Sequence, residues 1–289
     1  MPVRKAVIPA AGLGTRILPA TKAIPKELLA LVDRPMIQHV VEEAAGAGID
    51  EVVIVTSPDK QALIDHFAPA PALESLLETK GKTDLLDAVR GTTQIASVSF
   101  AMQTEPRGLG HAVGCARDAV GAEPFAVLLP DELFFGPQLV RALVDRYERF
   151  EASVIAVMEM PAGEISAYGV VDPDPVDDDV VKIKRFVEKP APEHAPSNLG
   201  SVGRYVLGPE VFDAIDSTKP GAGGEIQLTD AIDTVAEKTG CYAYVYRGPR
   251  RDAGRPLGYV KATVELGLRN KEFGEEFAEF LAGVIRPEA

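Results

Sequence analysis

Cysteine is nearly missing from this chain of 289 residues: only Cys115 and Cys241 occur, far apart and outside any CxxC spacing. That excludes a disulfide framework and a cysteine-based zinc site, and it fits a reducing cytoplasm. The four histidines, His39, His66, His111 and His194, show no metal-like spacing. Long apolar runs are missing too. The opening "MPVRKAVIPAAG" lacks the apolar stretch of a signal peptide, and no later run approaches the roughly 18 residues of a membrane span, so a soluble protein is expected. Positive charge is scarce: 30 Lys and Arg stand against 43 Asp and Glu, a formal net charge of −13. A polyanion would be repelled over most of such a surface, which argues against a general nucleic-acid or acidic-membrane binder.

What is present begins with a local exception. Residues 1 to 34 hold Arg4, Lys5, Arg16, Lys22, Lys26 and Arg34 against Glu27 and Asp33, an excess of four positive charges. A small bound anion would account for it; a solvated cluster of charges is the alternative that composition leaves open. Hydrophobic residues make up 46% of the chain, enough for a sizeable core, and the length allows one large domain or two small ones. "KAVIPA", "EVVIVTS", "SVSFAMQ", "FAVLLPD", "SVIAVME", "GSVGRYVL" and "CYAYVYR" read as strands, and "PMIQHVVEEAAGAG", "PDKQALIDHF", "GLGHAVGCARDAV" and "PQLVRALVDRYERF" as helices. The first four strands each lead into a helix, which implies an α/β fold with a mostly parallel sheet covered on both faces. Ligands bind such sheets at the carboxyl ends of the strands, so the loops after "KAVIP" and "FAVLLPD" are the first candidates. The run "VDPDPVDDDVVK" (171–182) reads as a solvated turn between two strands; it lacks the glycine and terminal glutamate of a calcium loop.

Strand "AVIP" running into "AAGLGTR" invites a dinucleotide-binding reading, but Ile17 stands where the third glycine belongs, and Pro19 and Pro25 interrupt the helix that should follow. No GK[ST] closes a Walker loop. What remains is a glycine turn in which Gly12 and Gly14 let backbone approach a ligand closely and present N–H groups to oxygen anions. Arg16 adds a planar fork of donors, and Lys26, after the stiff "AIP", adds a point charge. Together they fit a polyphosphate.

"GLGTRILPATKAIPKELL" resembles the signature of the sugar-1-phosphate nucleotidylyltransferases in the order and spacing of its glycine turn, its arginine and its Pro-Lys pair. "QTEPRGLGHAV", "LLPDE", "AYGVV", "FVEKP", "PSNLGSVGRYVL", "GAGGEIQLTDAI" and "RDAGRPLGY" extend the resemblance over roughly residues 4 to 270, and their kind and order are similar to the bacterial branch that joins UTP to glucose 1-phosphate. The resemblance implies a Rossmann-like, doubly wound mixed sheet of the nucleotidyltransferase type. Its nucleotidyltransferase core would span 1–260, with a nucleotide-binding part at about 1–135 and a sugar-binding part at about 136–260, and C-terminal helices at 261–289 would be available for oligomer contacts. It further implies attack of a sugar phosphate oxygen on the α-phosphate of UTP, giving UDP-glucose and pyrophosphate, with Mg2+ as cofactor and a homodimer or homotetramer as the assembly. Such chemistry needs no nucleophilic side chain, because the sugar phosphate is already an anion; the sequence offers no Ser/His/Asp or Cys/His constellation.

By that resemblance Arg16 and Lys26 hold the β- and γ-phosphates, and the backbone of Ala10, Ala11, Gly12, Leu13 and Gly14 lines the nucleotide. Gln103 reads the base, with Gly108 and Gly110 closing on base and ribose. Asp131 and Asp252 supply carboxylates to the metal. Glu188 accepts sugar hydroxyls, Lys189 neutralises the sugar phosphate, and Gly169 and Gly203 bring backbone to the hexose, with Asn198 and Glu225 in support. Adjacent residues on a strand point to opposite faces, so Glu188 and Lys189 can share one ligand only where the strand ends, which Pro190 favours. Two departures from the family pattern stand out: Glu132 replaces an apolar residue and reads as a loop carboxylate, and "RRDAGRPLGY" replaces the commoner "HDCGNKLGY". His111 reads as a helix-packing residue rather than an acid or base, and Tyr168 and Tyr205 as packing residues. A different base, such as that of dTTP, a different sugar, and a non-catalytic homologue that binds sugar nucleotides remain as alternative readings.

Overall fold

The computed structural model describes residues 1–136 and 138–285. Its strands are β1 (Lys5–Pro9), β2 (Ala30–Leu31), β3 (Arg34–Pro35), β4 (Glu51–Thr56), β5 (Ser97–Met102), β6 (Phe125–Leu128), β7 (Glu132–Phe134), β8 (Ser153–Glu159), β9 (Gly169–Pro175), β10 (Val180–Glu188), β11 (Leu199–Leu207), β12 (Cys241–Val245) and β13 (Arg250–Asp252). Its helices are α1 (Met36–Gly46), α2 (Gln61–His66), α3 (Pro71–Thr79), α4 (Thr83–Thr92), α5 (Leu109–Gly114), α6 (Arg117–Val120), α7 (Leu139–Phe150), α8 (Glu210–Ser217), α9 (Leu228–Lys238), α10 (Pro256–Leu268) and α11 (Gly274–Ile285). Nine strands form one mixed sheet in the order β5-β4-β1-β6-β11-β8-β12-β10-β9. The first four of that order are mutually parallel; β11 enters antiparallel to β6 and β8.

Strict alternation along each strand explains why the sheet is covered twice. Ala6 and Ile8 of β1, Val52 and Ile54 of β4, and Ala126 and Leu128 of β6 face one core with α1 and α7. Val7, Val53, Val55, Phe125 and Val127 face the other with α5, α8 and α9. There Phe125 stacks on Phe212 with ring centroids 5.0 Å apart. Each buried valine, leucine, isoleucine or phenylalanine among them contributes about 1.5–3 kcal/mol, so the sheet needs both helical layers.

The structure refines several expectations. The segment read as one helix over 108–120 is two, α5 and α6, because Gly110 and Gly114 are weak helix formers. The solvated turn within 171–182 shrinks to 176–179, since β9 runs to Pro175 and β10 starts at Val180. Glu132 is not a loop carboxylate: it lies buried at the start of β7, which pairs with β13. After the glycine turn come three short 3-10 turns, Thr15–Ile17, Ala20–Lys22 and Lys26–Leu28, in place of a helix. The expected C-terminal helices are α10 and α11, with residues 286–289 outside the described residues, as is Pro137 before α7. Among the described residues no helix is long and apolar enough to cross a membrane.

Parallel strands bring their carboxyl ends to one edge. Four loops therefore meet there: 10–16 after β1, 57–60 after β4, 103–108 after β5 and 129–131 after β6.

Candidate active site

Two cavities open at that edge, of about 480 Å3 and 260 Å3. Arg16, Asp131 and Glu225 line both, so the cavities adjoin. The glycine turn walls the larger one. Gly14 has φ 65°, a left-handed conformation that favours glycine, and a Cβ there would lie 3.1 Å from the Cβ of Lys26. Among the described residues the backbone N–H groups of Ala11, Gly12, Leu13 and Gly14 donate to no backbone carbonyl, and all four residues line the cavity.

Lys60, which sequence reading missed, explains how the turn is held. Its buried ammonium donates to the carbonyls of Ala10 and Gly12 at 2.6 and 2.7 Å and to Glu27 Oε2 at 2.9 Å, so all three donors are used. The carbonyls of Ala10 and Gly12 are thereby tied inward, while the N–H groups from Ala11 to Gly14 have no partner among the described residues. Burial pushes the Glu27 carboxyl above its ordinary range, opposed by the charges of Lys60 and Lys26. Ala10 itself does not line the cavity; its carbonyl accepts from Lys60.

At the other end of the larger cavity, β5 delivers Gln103, whose backbone N–H donates to Thr56 O at 2.8 Å. Its side-chain Nε2 meets Gly108 O at 3.2 Å and His111 Nδ1 at 2.8 Å. Gly108, at φ 101°, would place a Cβ 2.7 Å from Ile226 O. Gly110 is buried and donates its N–H to that same carbonyl at 2.8 Å, so Gly110 packs α5 against the segment before α9 instead of lining the cavity.

Lys26 and Asp131 meet where the cavities join, Nζ to Oδ2 at 2.6 Å. Burial disfavours both charges, but each partner outweighs that effect: the Asp131 carboxyl lies below its ordinary range and the Lys26 ammonium above its own. Asp252 ends β13 on the facing side. A Cβ built on Gly254 would sit 2.4 Å from Asp131 Oδ2 and 3.1 Å from Asp252 Oδ1. The two carboxylates therefore converge on one small space that glycine leaves open. Among the described residues no cluster of three or more His, Cys, Asp or Glu side chains forms a metal cage. Arg16 stands at the junction without an ion pair to any described residue.

Supporting side chains fix this arrangement. Arg204 is fully buried and donates to Leu129 O at 2.8 Å and Glu132 O at 2.6 Å, on either side of Asp131, as well as to Gly203 O at 3.3 Å and to Glu43 of α1. Glu132 and Arg250, drawn from the two segments that depart from the family pattern, pair with each other across β7 and β13, Nε to Oε2 at 2.6 Å. Burial pushes the Glu132 carboxyl up to about 7 against the pull of Arg250. Arg250 also donates to the Tyr168 hydroxyl at 3.3 Å and lies over its ring, so Tyr168 does more than pack.

The smaller cavity holds the second set of expected residues. β10 ends at Glu188, and Lys189 takes φ 43°, so the two side chains converge, Nζ to Oε1 at 2.9 Å. Glu188 Oε2 accepts from Thr229 at 2.6 Å, and the Lys189 N–H donates to Tyr168 O at 3.1 Å. Gly169 and Gly203 line the same cavity. Gly203, at φ 74°, bulges β11 and accepts from the Leu129 N–H at 2.9 Å. Tyr205 packs, as expected, its hydroxyl accepting from Ser201 at 3.1 Å. Asn198 is exposed and lines neither cavity; its carbonyl accepts from the Met160 N–H at 2.8 Å.

Residues 5–267 match the family model described as nucleotidyl transferase. The chain belongs to the nucleotidyl transferase family. Within the family it is similar to a UTP--glucose-1-phosphate uridylyltransferase of Bacillus subtilis (strain 168), at 48% identity over 288 residues, 99% of this chain and 98% of that protein. A solved UDP-glucose pyrophosphorylase complexed with UDP-glucose superposes with a TM-score of 0.84 at 38% identity, covering 93% of this chain and 100% of that one. A UTP-bound UGPase from Acinetobacter baumannii does so with a TM-score of 0.89 at 41% identity, covering 97% and 99%.

Proposed function

We propose that this nucleotidyl transferase moves the uridylyl group of UTP to alpha-D-glucose 1-phosphate, giving UDP-glucose and pyrophosphate. The observation that carries the reading is the convergence of Lys26, Asp131, Asp252 and Arg16 where two cavities meet, beside a turn with four N–H groups that have no partner among the described residues. Two anions have to meet in this reaction. Their repulsion must be neutralised and the attacking and leaving oxygens held in line. The larger cavity takes UTP, with Gln103 against the base, the N–H groups of the turn on phosphate oxygens, and Arg16 and Lys26 on the departing pyrophosphate. The smaller cavity takes the sugar phosphate, with Glu188 accepting hydroxyl protons and Lys189 answering the phosphate charge. On this reading about 1–135 serves mainly the nucleotide and about 136–260 mainly the sugar, with Arg16, Asp131 and Glu225 shared.

Asp131 and Asp252 fit a divalent cation, because Mg2+ is usually held by one or two carboxylates together with phosphate and water oxygens. Bound there, the ion would supply positive charge against the triphosphate oxygens. The exposed apolar residues Leu257, Val260 and Leu268 of α10 and Phe280 of α11 support a homodimer or homotetramer, which light scattering on the purified protein tests. Two free cysteines suit a cytoplasmic location.

Pyrophosphate release tests the reaction, with glucose 1-phosphate and Mg2+ and with UTP compared against dTTP, ATP, GTP and CTP. Release that requires both glucose 1-phosphate and UTP is the expected result. A preference for dTTP would reassign the base, and silence with every triphosphate and sugar phosphate would make the protein a binding homologue.

A further inference from the structure

Gln103 is placed at the base end of the larger cavity, but a glutamine amide alone reads nothing. Rotated by half a turn it offers a donor where it had offered an acceptor, so it can face uracil or cytosine equally well. Two neighbours remove that freedom. The carbonyl of Gly108 only accepts, so the Gln103 atom 3.2 Å from it must be the NH2 group. That leaves the second amide hydrogen pointing at His111 Nδ1, 2.8 Å away, which must then be an unprotonated acceptor. Burial and the charge of Arg107 hold His111 below its ordinary range, opposed only by Glu105, which keeps the ring neutral near pH 7. Both amide hydrogens are therefore used inside the protein. The amide oxygen, for which no described residue is a donor, is what Gln103 offers the cavity.

We infer that His111 is a specificity-determining positioning residue: it locks the Gln103 amide with its oxygen outward, so that the site accepts pyrimidine triphosphates carrying an N3–H and rejects those whose N3 is a bare acceptor. Uracil places the N3 hydrogen against that oxygen. Cytosine places a lone pair there, and the amide cannot turn to meet it without leaving two acceptors unsatisfied, the carbonyl of Gly108 and the ring nitrogen of His111. The inference rests on the proposed placement of the base at Gln103.

The test is the ratio of kcat/KM for UTP to that for CTP in the parent and three variants. His111→Leu removes the acceptor, and the ratio is expected to fall by about tenfold or more. In His111→Asn the side-chain oxygen occupies the Nδ1 position, and the ratio is expected to stay near that of the parent. Gln103→Leu separates the inference from its foundation. If it flattens the ratio while His111→Leu does not, His111 has no such role and the base placement stands. If Gln103→Leu itself leaves the ratio unchanged, base placement and inference fall together. A measurement on the unaltered protein stands apart from folding of the variants: the 15N shift of His111 Nδ1 at pH 7.5 should be that of an unprotonated ring nitrogen, and a protonated Nδ1 would overturn the inference.

Discussion

At the scale of single residues, Arg16 and Lys26, two of the cations expected from sequence, sit at the junction of the two cavities, and Lys189 lies in the smaller one. Lys26 is the best placed, half-buried and 2.6 Å from Asp131. Lys26→Ala should lower turnover by roughly 10²-fold or more, as loss of a preorganised transition-state contact does; initial-rate pyrophosphate release at saturating substrates checks it, and unchanged turnover would remove Lys26 from the mechanism. Arg16, Lys26, Asp131 and Lys189 were legible because short motifs carry them and their chemistry is local. Lys60, Arg204 and His111 were not. Lys60 meets its partners 50 and 48 positions away at Ala10 and Gly12, and Arg204 meets Glu43 across 161 positions. No spacing within one sequence announces such pairs. Glu132 and Arg250, 118 positions apart, read as two unrelated oddities until the ladder between β7 and β13 puts them side by side.

At the scale of elements, the ends of strands carry the site, and what holds those ends decides its geometry. Gly254 follows β13 in the space between two carboxylates. Gly254→Ala should push the Asp131 carboxylate aside and weaken Mn2+ binding, followed by electron paramagnetic resonance, while circular dichroism stays that of the parent; undiminished binding would count against the paired-carboxylate site. Arg204 braces the segment after β6 from within the core. Arg204→Met deprives Glu43 and three carbonyls of this donor and should cost about 3–5 kcal/mol in urea unfolding, the range for breaking a buried pair. The seven expected strands are all present: short apolar runs are ambiguous by periodicity alone, and their short length with β-branched and aromatic residues decides for strand. Helices α3, α4, α8 and α9 escaped. The first two are amphipathic but mostly exposed, with a single buried residue, Leu86, between them, so their apolar signal is weak. The fold of α5 and α6 turned on two glycines that periodicity alone does not weigh.

At the scale of the whole molecule, acidity and burial set how the protein responds to pH. Burial holds His39 and His66 below their ordinary range. A histidine whose folded-state value is depressed adds stability above about pH 6.5, and that stability is lost as pH falls through the folded-state value. The double variant His39→Gln, His66→Gln should therefore lose less of its urea midpoint between pH 7.5 and 5.5 than the parent does; an equal loss would show that these rings do not govern the acid side. Alternating strands and helices made the doubly wound sheet legible, whereas the order of strands beyond β6 was not, since antiparallel entry of β11 depends on contacts made across the whole chain.

The ion pair between Lys26 and Asp131 also bears on the order in which ligands arrive. At the junction the two charges answer each other at 2.6 Å. An anion that drew Lys26 away would strand a half-buried carboxylate, and a cation that drew Asp131 away would strand a half-buried ammonium. Either ligand alone works against this balance, and each removes the obstacle to the other. On the proposed placement of the triphosphate at Lys26 and the divalent cation at Asp131, thermodynamic reciprocity then requires that they raise one another's affinity by the same factor. The site thus answers to the pair and discounts either one alone.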